Sequence, residues 1–174
     1  MPISTEITSL AQWSQERIRS VFEAATEEEA LKAINETFSR GVKARVNGLL
    51  VGYAQIEQQV LDLRRTAEGG LKVHWKEIIE SENAHPQSQE GQVGGFYHIQ
   101  GIRKPIYKES SQGGSLVYGD FVRHKAVSAK IVSERTTSNL DVPLDARRIV
   151  ELTVIAKDVP VDSNENASYS EQDF

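Results

Sequence analysis

The chain has 174 residues, with 20 Lys and Arg against 25 Asp and Glu, a formal net charge of −5, and 39% hydrophobic residues. This is a globular composition, long enough to bury a core unaided. Its acidic balance lacks the basic stripe that a phosphate-reading nucleic-acid binder needs, and the absence of cysteine excludes disulfides, thiolate metal sites and cysteine nucleophiles.

The first residues, MPISTEITSLAQW, carry no basic region and no long apolar run, so no secretory signal is expected. No apolar stretch approaches the roughly 20 residues that span a bilayer. The expectation is a cytoplasmic protein with neither a membrane nor a nucleic acid as partner.

Leu10, Trp13, Ile18, Val21, Phe22 and Ala25 recur near helical spacing and predict a helix over 10–25. Thr26 and Glu29 make a capping-box pattern for a second helix, and Glu27 and Glu28 suit its positive dipole end. Gly41 stands where a C-cap is expected. Val42, Ala44 and Val46 alternate with Lys43 and Arg45 as in a strand. Asn47-Gly48 then predicts a tight hairpin, because a type I′ turn needs positive φ at both central residues. Tyr53, Ile56, Val60 and Leu63 form the stripe of a third helix over about 52–67, closed by Gly69-Gly70.

The second half reads as long strands. In LKVHWKEII, Leu71, Val73, Trp75 and Ile79 share a face at period two, and Glu77 falls on that same face. A carboxylate there is either a pocket acid or a strand end meeting water. The next strand runs from about 92 to 106. Gly94, Gly95 and Gly101 predict a bulge or a close backbone approach, and Pro105 an end or an exposed edge. A third strand spans about 117–134. Val117 and Phe121 share a phase, as do Val127, Ala129 and Ile131. The cations Arg123 and Lys125 lie between them, and a bend or bulge is expected there. In the last strand, RRIVELTVIAKDV, Val150, Leu152, Val154 and Ala156 form one face, and Ile149, Thr153 and Ile155 the other. Residues 1–159 read as one domain, and 160–174 as a disordered acidic tail. The Arg64-Arg65 and Arg147-Arg148 pairs read as solvated ends.

Helices first and strands after them argue an α+β fold, with three helices in the N-terminal half packed in a strongly curved, mainly antiparallel sheet. ARVNGLLVGYAQIEQQVLDLRR resembles the hairpin and third helix of the nuclear-transport-factor-two-like fold, a cystatin-like cone that includes SnoaL-like cyclases, ketosteroid isomerases and scytalone dehydratases. LKVHWKEII, GDFVRHKAVSAKIV and ARRIVELTVIAKDV resemble its C-terminal sheet, so the likeness runs from about Leu10 to Val159. It implies a cone with a pocket for a small apolar or aromatic molecule, and a homodimer through the outer sheet face. The family hosts both acid/base enzymes that need no cofactor and non-catalytic dimerisation modules, and fold alone assigns neither.

The candidate acid/base residues are Glu77, His98, Asp120 and His124. His98 is in phase with Phe96. His124 shares a phase with Tyr118, Asp120 and Val122, a row able to orient an imidazole or simply to face water. Tyr53, Trp75, Tyr97 and Tyr118 are candidate pocket-lining aromatics, with plain core as the alternative. No ligand spacing such as HExxH, no GxSxG elbow and no phosphate loop is present, so neither a metal nor a cofactor is expected.

Overall fold

The computed structural model describes residues 8–81, 89–134 and 145–161; the acidic segment from residue 162 on lies outside them. Helix α1 (Leu10–Glu23) starts at Ser9, whose hydroxyl accepts from Gln12 N at 3.1 Å. Helix α2 (Glu27–Thr37) has the full capping box: Thr26 and Glu29 each satisfy the other's backbone N–H. The Gly41 C-cap is not what ends α2. The helix runs straight into strand β1 (Phe38–Val46), and Gly41 lies inside that strand, where its register against strand β6 (Arg147–Pro160) slips between Phe38 and Lys43.

Asn47 (φ 49°) and Gly48 (φ 83°) make the expected tight turn into β2 (Leu49–Val51). The Asn47 side chain also clips β6, donating to Ala156 O at 3.0 Å and accepting from Ala156 N at 2.8 Å. Helix α3 (Tyr53–Arg65) follows, with Ile56, Val60 and Leu63 buried. Strands β3 (Lys72–Glu80), β4 (Gly91–Lys108) and β5 (Ser115–Ser133) complete a six-stranded sheet in the order β2-β1-β6-β5-β4-β3. The β1–β6 pair is parallel and the other four are antiparallel. The fold is α+β, as the segregation of elements implies. The core joins one sheet face (Val73, Ile99, Ile131, Ile149) to the apolar stripes of the helices.

Three extra residues set which side chains face that core, because each bulge reverses the alternation. In β3, Trp75 pairs Tyr97 while Glu77 pairs Phe96, leaving Lys76 extra. Leu71 and Val73 are buried and Trp75 is partly buried, but Glu77 and Ile79 turn to the outer face and are exposed. The single face expected from Leu71 to Ile79 is therefore split. In β6, Lys130 pairs Glu151 and Ile131 pairs Ile149, so Ile149 joins the inner face instead of sitting opposite Leu152.

The third bulge is at Gly101 in β4 (φ 92°), where a Cβ would collide with Gly70 O. This is the close approach the glycine predicts. No irregularity falls at Arg123–Lys125: β5 alternates straight through, so both cations point inward in phase with Val127 and Ala129. Past Gly101, β4 has left β3, and Pro105 lies on that free edge. Arg147 is buried rather than solvated; its guanidinium binds Asp145 at 2.9 Å and Thr8 O at 2.8 Å.

Candidate functional site

The inner face of the sheet and the apolar faces of α1 and α3 do not fill the space between them. A cavity of about 70 Å³ remains, room for on the order of five water-sized particles. Trp75 of β3, Tyr97 of β4, Phe22 of α1 and Val60 of α3 are among its walls, and Lys125 of β5 projects into it. The two expected aromatics Trp75 and Tyr97 thus meet here, their ring centroids 4.6 Å apart.

Lys125 is the unusual wall residue. It is partly buried, and its ammonium lies 4.7 Å from the Phe22 ring centroid and 5.9 Å from that of Tyr97, within cation–π range. Among the described residues no carboxylate and no hydrogen bond answers it. Burial, and then the nearby Arg123 charge, pushes its amine down to about 7. Burial also pushes the Tyr97 phenol well up. Two further polar groups on the same walls are without a partner among the described residues: Ser14 Oγ and Trp75 Nε1. Both can donate, as Lys125 can.

At the mouth the charge is balanced differently. Asp158 of β6 takes two hydrogen bonds from Arg123, Nε at 2.6 Å and a terminal nitrogen at 2.9 Å, and a third from Lys104 Nζ. This trio borders an open depression of about 460 Å³ that shares Val46, Gln59, Leu63 and Arg123 with the cavity wall. The cone therefore has a charged, hydrogen-bonded vestibule and a mostly apolar interior holding an unpaired amine.

The four candidate acid/base residues lie on the other side of the sheet. His98 and His124 are cross-strand partners on its outer face, with ring centroids 4.1 Å apart, and Phe96 sits edge-on to His98 at 5.1 Å. With Asp120 they border a shallow outer depression of about 300 Å³. Burial, and then the neighbouring His124, pushes His98 down to about 4, and its Nε2 has no partner among the described residues. Asp120 meets Arg103 Nε at 3.4 Å. Glu77 is exposed on the same face, separated from the cone by the bulge at Lys76. Tyr53 is half-buried beneath Arg40 at 4.3 Å, and Tyr118 is exposed on the β4–β5 ribbon. No cluster of three or more metal-ligating side chains occurs among the described residues.

Arg123 and Lys125, where a bend or bulge is expected, stand in an unbroken alternation of β5. Their odd numbers, shared with Phe121, Val127 and Ala129, were the signal for an inward pair.

No family model matches the sequence, and comparison with curated proteins gives no match. Solved structures do match. The CaMKII hub of S. rosetta superposes with a TM-score of 0.53 at 11% identity, covering 87% of this chain and 100% of its own. AclR of Streptomyces galilaeus, a proposed hydroxylase, gives 0.50 at 12%, covering 84% and 90%. A SnoaL-like proposed isomerase from Agrobacterium tumefaciens gives 0.46 at 9%, covering 84% and 97%. The chain shares its α+β cone fold with the hub and with AclR. No described helix of this cone is long and apolar enough to cross a membrane.

Proposed function

We propose that this cone-fold protein binds a small apolar or aromatic molecule in the cavity between α1, α3 and the inner sheet face, and performs proton-transfer chemistry of the isomerase, cyclase or dehydratase type on it. One observation carries the reading: Lys125, an amine without a counter-charge among the described residues, stands in a cavity walled largely by aromatic and aliphatic side chains. A side chain kept there without a partner is poorly placed for stability and well placed for a ligand. The amine near neutrality suits a general base, and the Tyr97 phenol, held protonated, suits a donor. Glu77, His98, Asp120 and His124 face away from this cavity, so the proposed chemistry rests on Lys125 and Tyr97 instead.

The test is a titration with benzyl alcohol, a neutral aromatic probe, followed by Trp75 fluorescence, with Trp13→Phe removing the second indole. Saturable quenching that Ala129→Phe abolishes supports the reading. A linear, unsaturable response in both proteins sinks it.

A second reading has its own observation. Ile155 is 67% exposed and Val159 is also exposed on the outer face, beside the partly buried Phe96 and Val122. A self-complementary contact through this face would make the protein a homodimeric interaction module. Light scattering coupled to size exclusion checks it: a strict monomer at tens of micromolar removes the dimer.

A further inference from the structure

The cone cavity presents an amine, an indole N–H and a hydroxyl on its walls and, among the described residues, no carboxylate. From this geometry we infer that Lys125 is a covalent site, a nucleophilic amine that forms a reversible imine with a compact apolar aldehyde or ketone admitted to the cone. The inference rests on the small-molecule reading above and names the reactive class of that ligand.

The chemistry balances without a co-reactant. The Lys125 nitrogen lone pair attacks the carbonyl carbon, a C–N bond forms, and the C=O π pair moves to oxygen, which takes a proton. The carbinolamine C–O bond then breaks as the nitrogen lone pair closes the C=N bond, and the oxygen leaves as water, having received the two nitrogen protons, one at each step. Hydrolysis reverses every step. The donors available to the carbonyl oxygen are the Ser14 hydroxyl and the Trp75 indole N–H, both otherwise unpaired among the described residues.

Three structural features favour the amine as nucleophile over a mere buried cation. Of the two carboxylates at the mouth among the described residues, Asp158 is already held by Arg123 and Lys104, and Asp62 by Gln58 and Arg65, so neither compensates Lys125. Burial among apolar side chains and the Arg123 charge favour its neutral form over the cation–π attraction of the Phe22 and Tyr97 rings. The charged or titratable groups bordering it are Arg123 on its own strand and Tyr97 on β4, with Asp158 on β6, Lys104 on β4 and Asp62 on α3 farther out at the mouth; the α1 and α3 residues that wall the cavity itself are uncharged. The cavity of about 70 Å³ is about half of one that holds benzene, so the partner is no larger than a single ring and reaches from the cavity toward the adjoining mouth.

The experiment is reductive trapping of the native protein with benzaldehyde and cyanoborohydride at pH 7, read by peptide mass mapping. Benzyl alcohol binding is measured in parallel. Lys125 is expected to be labelled at least about tenfold faster than exposed lysines such as Lys43, Lys130 or Lys157. Prior saturation with benzyl alcohol should slow that labelling. Lys125→Arg, which keeps the charge and loses the nucleophile, should lose the labelled peptide while the exposed-lysine peptides are labelled as before. If benzyl alcohol binds in the cone but labelling is no faster at Lys125 than at exposed lysines, the imine is overturned and the binding reading survives. If benzyl alcohol does not bind and Lys125 is not preferred, both fall.

Discussion

The two faces of the β3–β6 sheet show how one set of strands supports two unlike surfaces. Along β5, the inward residues run Phe121, Arg123, Lys125, Val127, Ala129 and Ile131. The outward ones between them include Val122, His124, Ala126 and Ser128. Inward, helices cover the sheet and exclude water, so a cation there is pushed toward its neutral form. Outward, only neighbouring side chains cover it, and His98 and His124 lean on each other and on Phe96 instead of on a helix. The difference teaches that the chemistry of a residue on this sheet follows from the layer above it. Residue type alone, which favours histidines and carboxylates as candidates, points to the outer face; depth points to a lysine.

Paired substitutions can break or sharpen this contrast. The largest expected effect is at Ile131, fully buried on the inner face. Ile131→Ala should cost about 2–5 kcal/mol in denaturant melts, whereas Ile155→Ala on the outer face should stay within about 0.5 kcal/mol. A large, protein-concentration-dependent loss at Ile155 would instead reveal that a second copy covers that face.

Next is Asp158→Asn, which leaves Arg123 and Lys104 facing each other at the cone mouth; a loss of about 2–3 kcal/mol is expected in the same melts. Lys125→Met should go the other way. Replacing a poorly compensated ion in an apolar wall stabilises by about 1–3 kcal/mol. The sign with pH follows from the folded amine lying near 7, below its unfolded value of about 10.4. The penalty of burying the charge is fully present below about pH 7 and fades as pH rises toward the unfolded value. The advantage of Lys125→Met should therefore be greatest in acid and shrink through that window. A pH-independent advantage would place the amine in water.

The smallest effect concerns His98. Its imidazole is held near 4, below the ordinary 6.5, so the stability it contributes is present above pH 6.5 and declines as pH falls toward 4. An NMR titration in which His98 keeps an ordinary midpoint would remove the crowding attributed to it.

Local signals made much of this fold legible. The Thr26–Glu29 box, the Asn47-Gly48 turn and the Ile56–Val60–Leu63 stripe each involve residues within a few positions of one another, and all three stand in the structure. What could not be read was which face a strand residue takes beyond a bulge. Period-two counting carries Glu77 into the cone and Ile149 out of it, and one extra residue, Lys76 or Val150, reverses each. Those bulges depend on long-range pairing that no short window contains. Lys125 is different: its phase is readable, but an inward cation contradicts an apolar face, and a bend is the expectation that removes the contradiction; the strand runs without one.

The clip between Asn47 and Ala156 joins residues 109 apart in the chain. The strand it secures, β6, lies between β1 and β5 in the sheet although it is the last of the six in chain order. Until β6 arrives, β1 and β5 each present an unpaired edge and the cone has no wall on that side. Closing so long a loop carries a large entropic cost before any contact rewards it. Assembly is then expected to be slow relative to helical domains of this size, with the exposed β1 and β5 edges its aggregation-prone stage. The cavity holding Lys125 comes into being only at that final pairing.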